Sequence, residues 1–202
     1  MMAKPQKILL AFDFDHTILD GNSDVQVQKL HNGPLPDAVT KLYSGRDWNH
    51  YMAAVFDLLH RQNISAEDIR QNILSLSLVS GMKELFDHLR QDIFEVIIIS
   101  DANYQFIDWH LRENQFDEFI AQIYSNPAKF DENGKLNLEF YHRQTGATYA
   151  PRTYVKAAFW RNMSPRENLW GYYILEYSTL VMATMTTVPA SDWLKRIVCF
   201  LG

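Results

Sequence analysis

The first apolar run, Ile8 to Phe12, is short and unbroken, the pattern of a strand buried on both faces. It stops abruptly at Asp13, and "DFDHTILDGNSD" follows. From Asp24 to Leu78 the pattern becomes helical. "WNHYMAAVFDLLH" places Tyr51, Val55, Leu58 and Leu59 on one stripe. "SAEDIRQNILSL" opens with a capping-box pair, Ser65 and Asp68, and "SGMKELFDHLRQ" predicts a further helix with Ser80 as its cap. A second apolar run, "FEVIIIS", again ends in polar residues, "DAN". "YQFIDWHLREN" predicts a helix, "FDEFIAQIYSN" a short helix leading into a strand, and "DENGKL" a turn.

Two doubly buried strands separated by helices specify an α/β fold, a Rossmann-like parallel sheet with a small helical cap inserted after the first strand. In such sheets ligands bind beyond the carboxyl ends of the strands. Both polar clusters, "DFDHT" and "SDAN", lie at those ends.

Composition narrows the function. The chain has 202 residues, 47% hydrophobic, with a formal net charge of −5, which argues against nucleic acid or an anionic membrane as its partner. Cys199 is the single cysteine, so an internal disulfide is excluded and a reducing compartment is expected. The N-terminus meets acidic residues too early for a signal peptide, and no apolar run approaches a membrane span of roughly 20 residues, so a cytoplasmic location is expected.

Two carboxylates one residue apart at a strand end repel unless a cation lies between them. A hard ion such as Mg²⁺ removes that cost and prefers oxygen ligands. It also lets a carboxylate approach a phosphate dianion. Asp13 is then placed to act as nucleophile, forming an aspartyl-phosphate. Asp15 is placed to protonate the leaving oxygen and later to activate water, and Ser100 to donate to a phosphoryl oxygen.

These residues carry a resemblance. D-x-D-x-T after an apolar strand resembles the first motif of haloacid dehalogenase-like phosphatases, and "IIIS" ending in Ser100 resembles their second. The longer strings "FDFDHTILDGNSD" and "IIISDANYQFIDWHL" are similar to the phosphoethanolamine/phosphocholine phosphatase branch, which includes pyridoxal phosphate phosphatase. The similarity runs from about residue 7 to residue 144. It implies that Asp13 is nucleophile and Mg²⁺ ligand, and that Asp15 is acid/base and ligates through its main-chain oxygen. Thr17 supports the loop, Ser100 binds phosphate, and Asp24 and Asp101 contact substrate. The expected substrate is a small phosphorylated metabolite: pyridoxal 5′-phosphate, phosphoethanolamine or phosphocholine. A phosphate-transferring mutase shares the first motif, but the wider resemblance disfavours it.

Blander roles compete at several positions. Asp20 reads as a turn residue, and Asp24 reads equally as a helix cap until the resemblance tips it. Asp101 and Asn103 both suit the cap of the following helix, His16 reads as solvent-facing, and Trp48 and Trp109 read as core.

The expected division is a phosphatase core at 1–23 and 81–144, a helical cap at 24–80, and an aberrant tail at 145–202. The family pattern also needs a lysine and a late acidic strand end, which would supply the third metal ligand. Neither appears after Gln144, where periodicity weakens and aromatics scatter. Reverse translation of "VMATMT", Val181 to Thr186, displaced by two bases, gives [D/N/H/Y]-G-[D/N/H/Y]-[D/N/H/Y]-D, which fits D-G-N-N-D. The same displacement turns "TYAPRTYVK" into L-C-P-K-N-L-C-K. The tail therefore reads as an out-of-frame translation, with the C-terminal part of the core missing or scrambled and the first strand left with a bare edge. The alternative function is a catalytically dead product that at most binds phosphate or a partner.

Overall fold

A computed structural model describes residues 7–44, 48–89 and 94–139, together with the backbone of 169–176, 179–182 and 187–189. Strand β1 (Lys7–Phe12) is followed by four helices: α1 (Ser23–Gln28), α2 (Asp37–Ser44), α3 (Trp48–Arg61) and α4 (Ala66–Leu74). Helix α5 (Met82–His88) leads into β2 (Phe94–Asn103), α6 (Tyr104–Glu113), a 3₁₀ turn at Asp117–Phe119 and β3 (Ile120–Asn126). A small hairpin, β4 (Ala128–Phe130) and β5 (Leu136–Leu138), comes next, then β6 (Leu169–Glu176), β7 (Thr179–Met182) and β8 (Thr187–Pro189).

The main sheet runs β3-β2-β1-β6-β7-β8. Strands β3, β2, β1 and β6 are parallel, and β7 and β8 are antiparallel additions. Alternation along β1 sends Leu10 and Phe12 to one face and Leu9 and Ala11 to the other, and all four are buried. The first face packs on α5 and α6 through Met82, Leu85, Phe86, Ile107, Leu111 and Phe116. Phe86 is central there, stacked on Phe116 at 4.4 Å and tilted against Phe12 at 5.3 Å. On the other face Leu9, Ala11, Ile97 and Ile99 form a smaller buried cluster.

A second hydrophobic cluster joins the helices inserted after β1. Tyr51, Met52, Val55, Phe56 and Leu59 of α3 meet Ile69 and Ile73 of α4. Phe106 of α6, Ala128 of β4 and Leu136 of β5 complete it, so the hairpin packs with the inserted helices. The Asp131 side chain accepts bonds from Asn133 N and Lys135 N and so shapes the "DENGKL" turn. The Ser65–Asp68 capping box is present at α4. At α5 the N-cap position falls to Gly81, with φ 82° and no side-chain cap bond, rather than to Ser80. A left-handed backbone there suits glycine, which has no Cβ to clash.

The tail differs from expectation in one respect. The edge of β1 is not bare, because β6 pairs with it in parallel from Lys7↔Leu169 to Phe12↔Leu175, with a register shift between Lys7 and Ile8. The physical reason lies in "LWGYYILE", whose aromatic and branched residues favour extended backbone. Such a segment satisfies the row of main-chain donors and acceptors that an open β1 would leave unpaired. Lys156, Asp192 and Lys195 lie outside the described residues.

Candidate active site

The chain leaves β1 through a tight loop that is braced on three sides. The Phe14 carbonyl accepts bonds from the amides of Thr17 (3.3 Å), Ile18 (2.9 Å) and Leu19 (3.0 Å). His16 N donates to Gly21 O at 2.9 Å, with His16 itself in the left-handed region at φ 57° and its side chain exposed. Asp20 N donates to Ser77 O and Val79 N to Ile18 O, which ties the loop to the segment before α5. Gly21 sits so close to Leu76 that an added Cβ would lie 2.9 Å from Leu76 Cδ2. This bracing fixes where the acids at residues 13 and 15 stand.

Asp13, the first residue past β1, is buried, and its Oδ1 accepts from Phe14 N at 2.7 Å. Asp15 accepts from Ser23 N (2.9 Å, Oδ1) and from Ser23 Oγ (3.2 Å, Oδ2). Loss of solvation, then the nearby Asp24 charge and more weakly Asp13, push its carboxyl from 3.8 up to about 8, against the opposing Ser23 bonds. Without a cation, Asp15 therefore holds a proton at neutral pH. Thr17 is buried within the loop.

Ser100 lies two residues beyond Ile98, the register partner of Phe12, so it reaches the same carboxyl edge as Asp13. It is buried, and its Oγ accepts from Ala102 N at 3.2 Å, leaving the hydroxyl proton to donate elsewhere. Asp101 is half-buried, and its carbonyl accepts from Asn126 Nδ2 at 2.9 Å. The cap of α6 is Asn103, whose Oδ1 accepts from Phe106 N at 3.2 Å; its buried Nδ2 has no partner among the described residues, nor has the buried Ser125 Oγ.

Asp24 does not cap α1. Asn22 does so, accepting from Val25 N at 2.9 Å. The Asp24 carboxylate is buried and accepts the indole N–H of Trp48 at 2.6 Å. Burial raises its carboxyl to about 6, with the Trp48 bond pulling the other way.

Sequence reasoning singled out the acids but not Trp48, Asn49, Asn126 or Ser23. Asn126 had a legible signal: "IAQIYSN" is another apolar run that turns polar at its carboxyl end. Trp48, read as core, had none, because an aromatic at a helix start looks the same whether it packs or donates.

Among the described residues, no group of three histidine, cysteine or acidic side chains is placed to hold a metal. The oxygens at Asp13 and at the Asp15 main chain nevertheless suit Mg²⁺, which usually takes one or two protein carboxylates and completes its shell with water and substrate phosphate.

A parallel core of β3, β2, β1 and β6 with helices packed on one face, a D-x-D-x-T loop at the end of β1 and helices inserted after that loop make up a Rossmann-like α/β fold. The chain belongs to the family described as "Putative Phosphatase", whose model matches residues 8–166. It is similar to pyridoxal phosphate phosphatase PHOSPHO2 of Mus musculus, 39% identical over 153 residues, covering 74% of this chain and 63% of the relative. The Homo sapiens protein of that name is 41% identical over 139 residues, covering 67% of this chain and 58% of the relative. The phosphoethanolamine/phosphocholine phosphatase of Gallus gallus is 34% identical over 143 residues, covering 69% and 53% respectively. The chain thus spans less than two thirds of the length of these relatives. Among the described residues, no helix is long and apolar enough to cross a membrane.

Proposed function

We propose that this chain is a phosphomonoester phosphatase acting on a small phosphorylated metabolite whose leaving alcohol carries a positive charge. The observation that carries the reading is the placement of Asp13 and Asp15 on a braced loop at the carboxyl end of β1, with Ser100 at the same edge. One group attacks while its neighbour donates a proton. In the first step an Asp13 oxygen bonds to phosphorus and the ester P–O bond breaks. The departing alkoxide takes the Asp15 proton and leaves as alcohol. In the second step water attacks the aspartyl-phosphate, Asp15 takes the water's proton, and inorganic phosphate leaves with Asp13 regenerated. Ser100 donates its hydroxyl proton to a phosphoryl oxygen throughout, and Thr17 holds the loop. When bound, Mg²⁺ supplies charge neutralisation between carboxylate and phosphate. Asp13 and the Asp15 main chain would hold it.

Asp24 and Asp101 supply negative charge at the substrate end. That favours the ammonium groups of phosphocholine and phosphoethanolamine, and the relatives' names keep pyridoxal 5′-phosphate in the same comparison. Helices α1–α4 act as the cap that closes over this end.

A second reading, a family member that binds but does not turn over, is favoured by the tail, where the family match stops at residue 166 and the coding text reads as out of frame. The deciding experiment incubates the purified chain with Mg²⁺ and each of the three esters and measures phosphate release. Turnover by the parent is expected to be low, because the lysine and late acidic strand end of the family pattern do not appear in its sequence, and Asp13→Asn is expected to lose at least a hundredfold, since an amide is a poor nucleophile for phosphorus. An Asp13→Asn rate within about tenfold of the parent would remove Asp13 from its role. A parent that binds phosphate without releasing it from any ester would establish the second reading. The nucleotide sequence around codon 145 would then show whether the late acidic motif is encoded in another frame.

A further inference from the structure

The first two residues of helix α3 each bond to a different element. Trp48 Nε1 donates to Asp24 Oδ2 at 2.6 Å. The next residue, Asn49, meets Asn126 at the end of β3: Asn49 Nδ2 lies 3.3 Å from Asn126 Oδ1, and Asn126 Nδ2 lies 3.4 Å from Asn49 Oδ1. Asn126 Nδ2 also donates to the Asp101 carbonyl at 2.9 Å. Consecutive helix positions point about 100° apart, so neighbouring residues can reach two different elements. Here they reach the supports of both acids assigned to the substrate end.

We propose that Trp48 and Asn49 are positioning residues, which set the placement of Asp24 and, through Asn126, of Asp101, and so determine preference for a cationic leaving group. The inference rests on the phosphatase reading above and names the device behind its substrate preference.

Three features separate this from ordinary packing. First, α3 is anchored independently, because Tyr51, Met52, Val55, Phe56 and Leu59 bury its apolar stripe. Its first turn is therefore a fixed reference. The Trp48 ring is itself buttressed by Tyr43 at 5.6 Å and Tyr51 at 5.4 Å. Second, Trp48 Nε1 donates to Asp24 Oδ2 at 2.6 Å, which ties that carboxylate to the first turn of α3. A hydrogen bond to a charged acceptor is among the stronger ones and fixes direction as well as distance. Third, Asn126 Nδ2 donates to the main-chain carbonyl of Asp101, so it sets where the backbone of that residue stands. An acid aimed at an ammonium loses much of its selectivity when its orientation relaxes.

The test uses the purified full chain with Mg²⁺, comparing phosphocholine with phenyl phosphate, whose leaving group has no positive charge. Trp48→Phe keeps the ring and removes the N–H. It is expected to lower the kcat/KM ratio of phosphocholine to phenyl phosphate by about tenfold, chiefly through KM for phosphocholine. Asn49→Ala is expected to lower the same ratio by about threefold. An unchanged ratio in both variants, or equal losses on both esters carried by kcat, would overturn the proposal.

A second arm needs no turnover. The indole N–H resonance of Trp48, assigned by its loss in Trp48→Phe, should move in Asp24→Asn. In the parent with Mg²⁺ it should move on adding phosphocholine and stay in place with inorganic phosphate. If the parent hydrolyses neither ester, the catalytic reading fails and this signal alone decides the positioning role. A resonance indifferent to both Asp24→Asn and phosphocholine would refute it.

Discussion

Asp24→Asn should make the metal-free protein more stable at neutral pH while impairing its use of cationic substrates. The Asp24 carboxyl ionises at 3.8 in an open chain and at about 6 in the fold, with burial the main cause. Between those values the folded chain holds a proton that the unfolded chain has released. Stability from this group is therefore complete below 3.8, falls as pH rises, and is lost above about 6. One pKa unit corresponds to about 1.4 kcal/mol, so the full shift sets a ceiling of about 3 kcal/mol. Relaxation and water penetration around buried charges reduce that ceiling, leaving on the order of 1–2 kcal/mol. Asparagine keeps an oxygen to accept the Trp48 N–H and carries no charge. The substitution also removes the second-largest cause of the raised Asp15 carboxyl, which adds to the gain between pH 6 and 8. For a chain of this size, about 1–2 kcal/mol corresponds to a melting shift of about 2–8 °C. The assay is thermal unfolding followed by circular dichroism in chelator, for parent and variant, at about pH 4 and pH 7.5. The comparison must be the difference between the two proteins. Asp68 and Asp131 are held below the usual carboxylate range by their hydrogen bonds and give the parent an opposite slope. The variant should melt higher at pH 7.5 and close to the parent at pH 4. A variant that melts lower at pH 7.5, or by the same margin at both pH values, would refute the argument that burial of the Asp24 charge costs stability.

Phe86→Ala should cost about 3–5 kcal/mol, because the ring is fully buried between Phe12, Phe116 and Phe119 and leaves a cavity when removed. A melting temperature lowered by less than about 3 °C would show that the described sheet face is not packed as stated. Ser65→Ala removes one half of the capping box at α4 and should lower melting by about 2–4 °C, whereas Ser65→Asp should recover most of the loss; equal melting of parent and Ser65→Ala would count against the cap.

What the sequence showed and what it hid follow from range. Strand β1 and the Ser100 strand were legible because each is a continuous apolar run that ends in polar residues, and that pattern is local. The capping box was legible because both partners lie within one turn. The acids at positions 13, 15, 24 and 101 stood out as charge placed behind buried strands or beside them. The supports of those acids were not legible. Trp48 and Asp24 are 24 residues apart, and Asn49 and Asn126 are 77 apart, so nothing in spacing or periodicity links them. Cap choice was also ambiguous, since Asn22 and Asp24, or Asn103 and Asp101, offer the same acceptor chemistry two residues apart. Only the turn geometry decides which one meets an N–H, and in both cases the amide caps and the acid is left for other work.

The same reasoning explains why β6 was missed and why it matters. A strand is recognised by its own alternation when one face is wet, but a strand buried between others has no such signature, and "LWGYYILE" offers only aromatic and branched content. Its pairing with β1 continues to Phe12, the residue before Asp13. With β2 on the other side, also paired up to Phe12, the strand that leads into Asp13, the proposed nucleophile, is held along both edges to its last residue. A carboxylate meant to attack phosphorus must keep its approach line to within a fraction of an ångström. Backbone hydrogen bonds on both sides of β1, followed at once by a loop tied to Ser77 and Gly21, supply that rigidity without any side chain of the site taking part. Paired backbone thus serves the end of the site where the proposed chemistry takes place. The proposed substrate end is built differently: the Asp24 carboxylate accepts from an indole, and the Asp101 carbonyl accepts from the Asn126 amide, contacts that depend on single side chains. On the proposed reading, the chemistry sits at the end of a strand paired along both edges, and the choice of substrate rests on single side-chain hydrogen bonds.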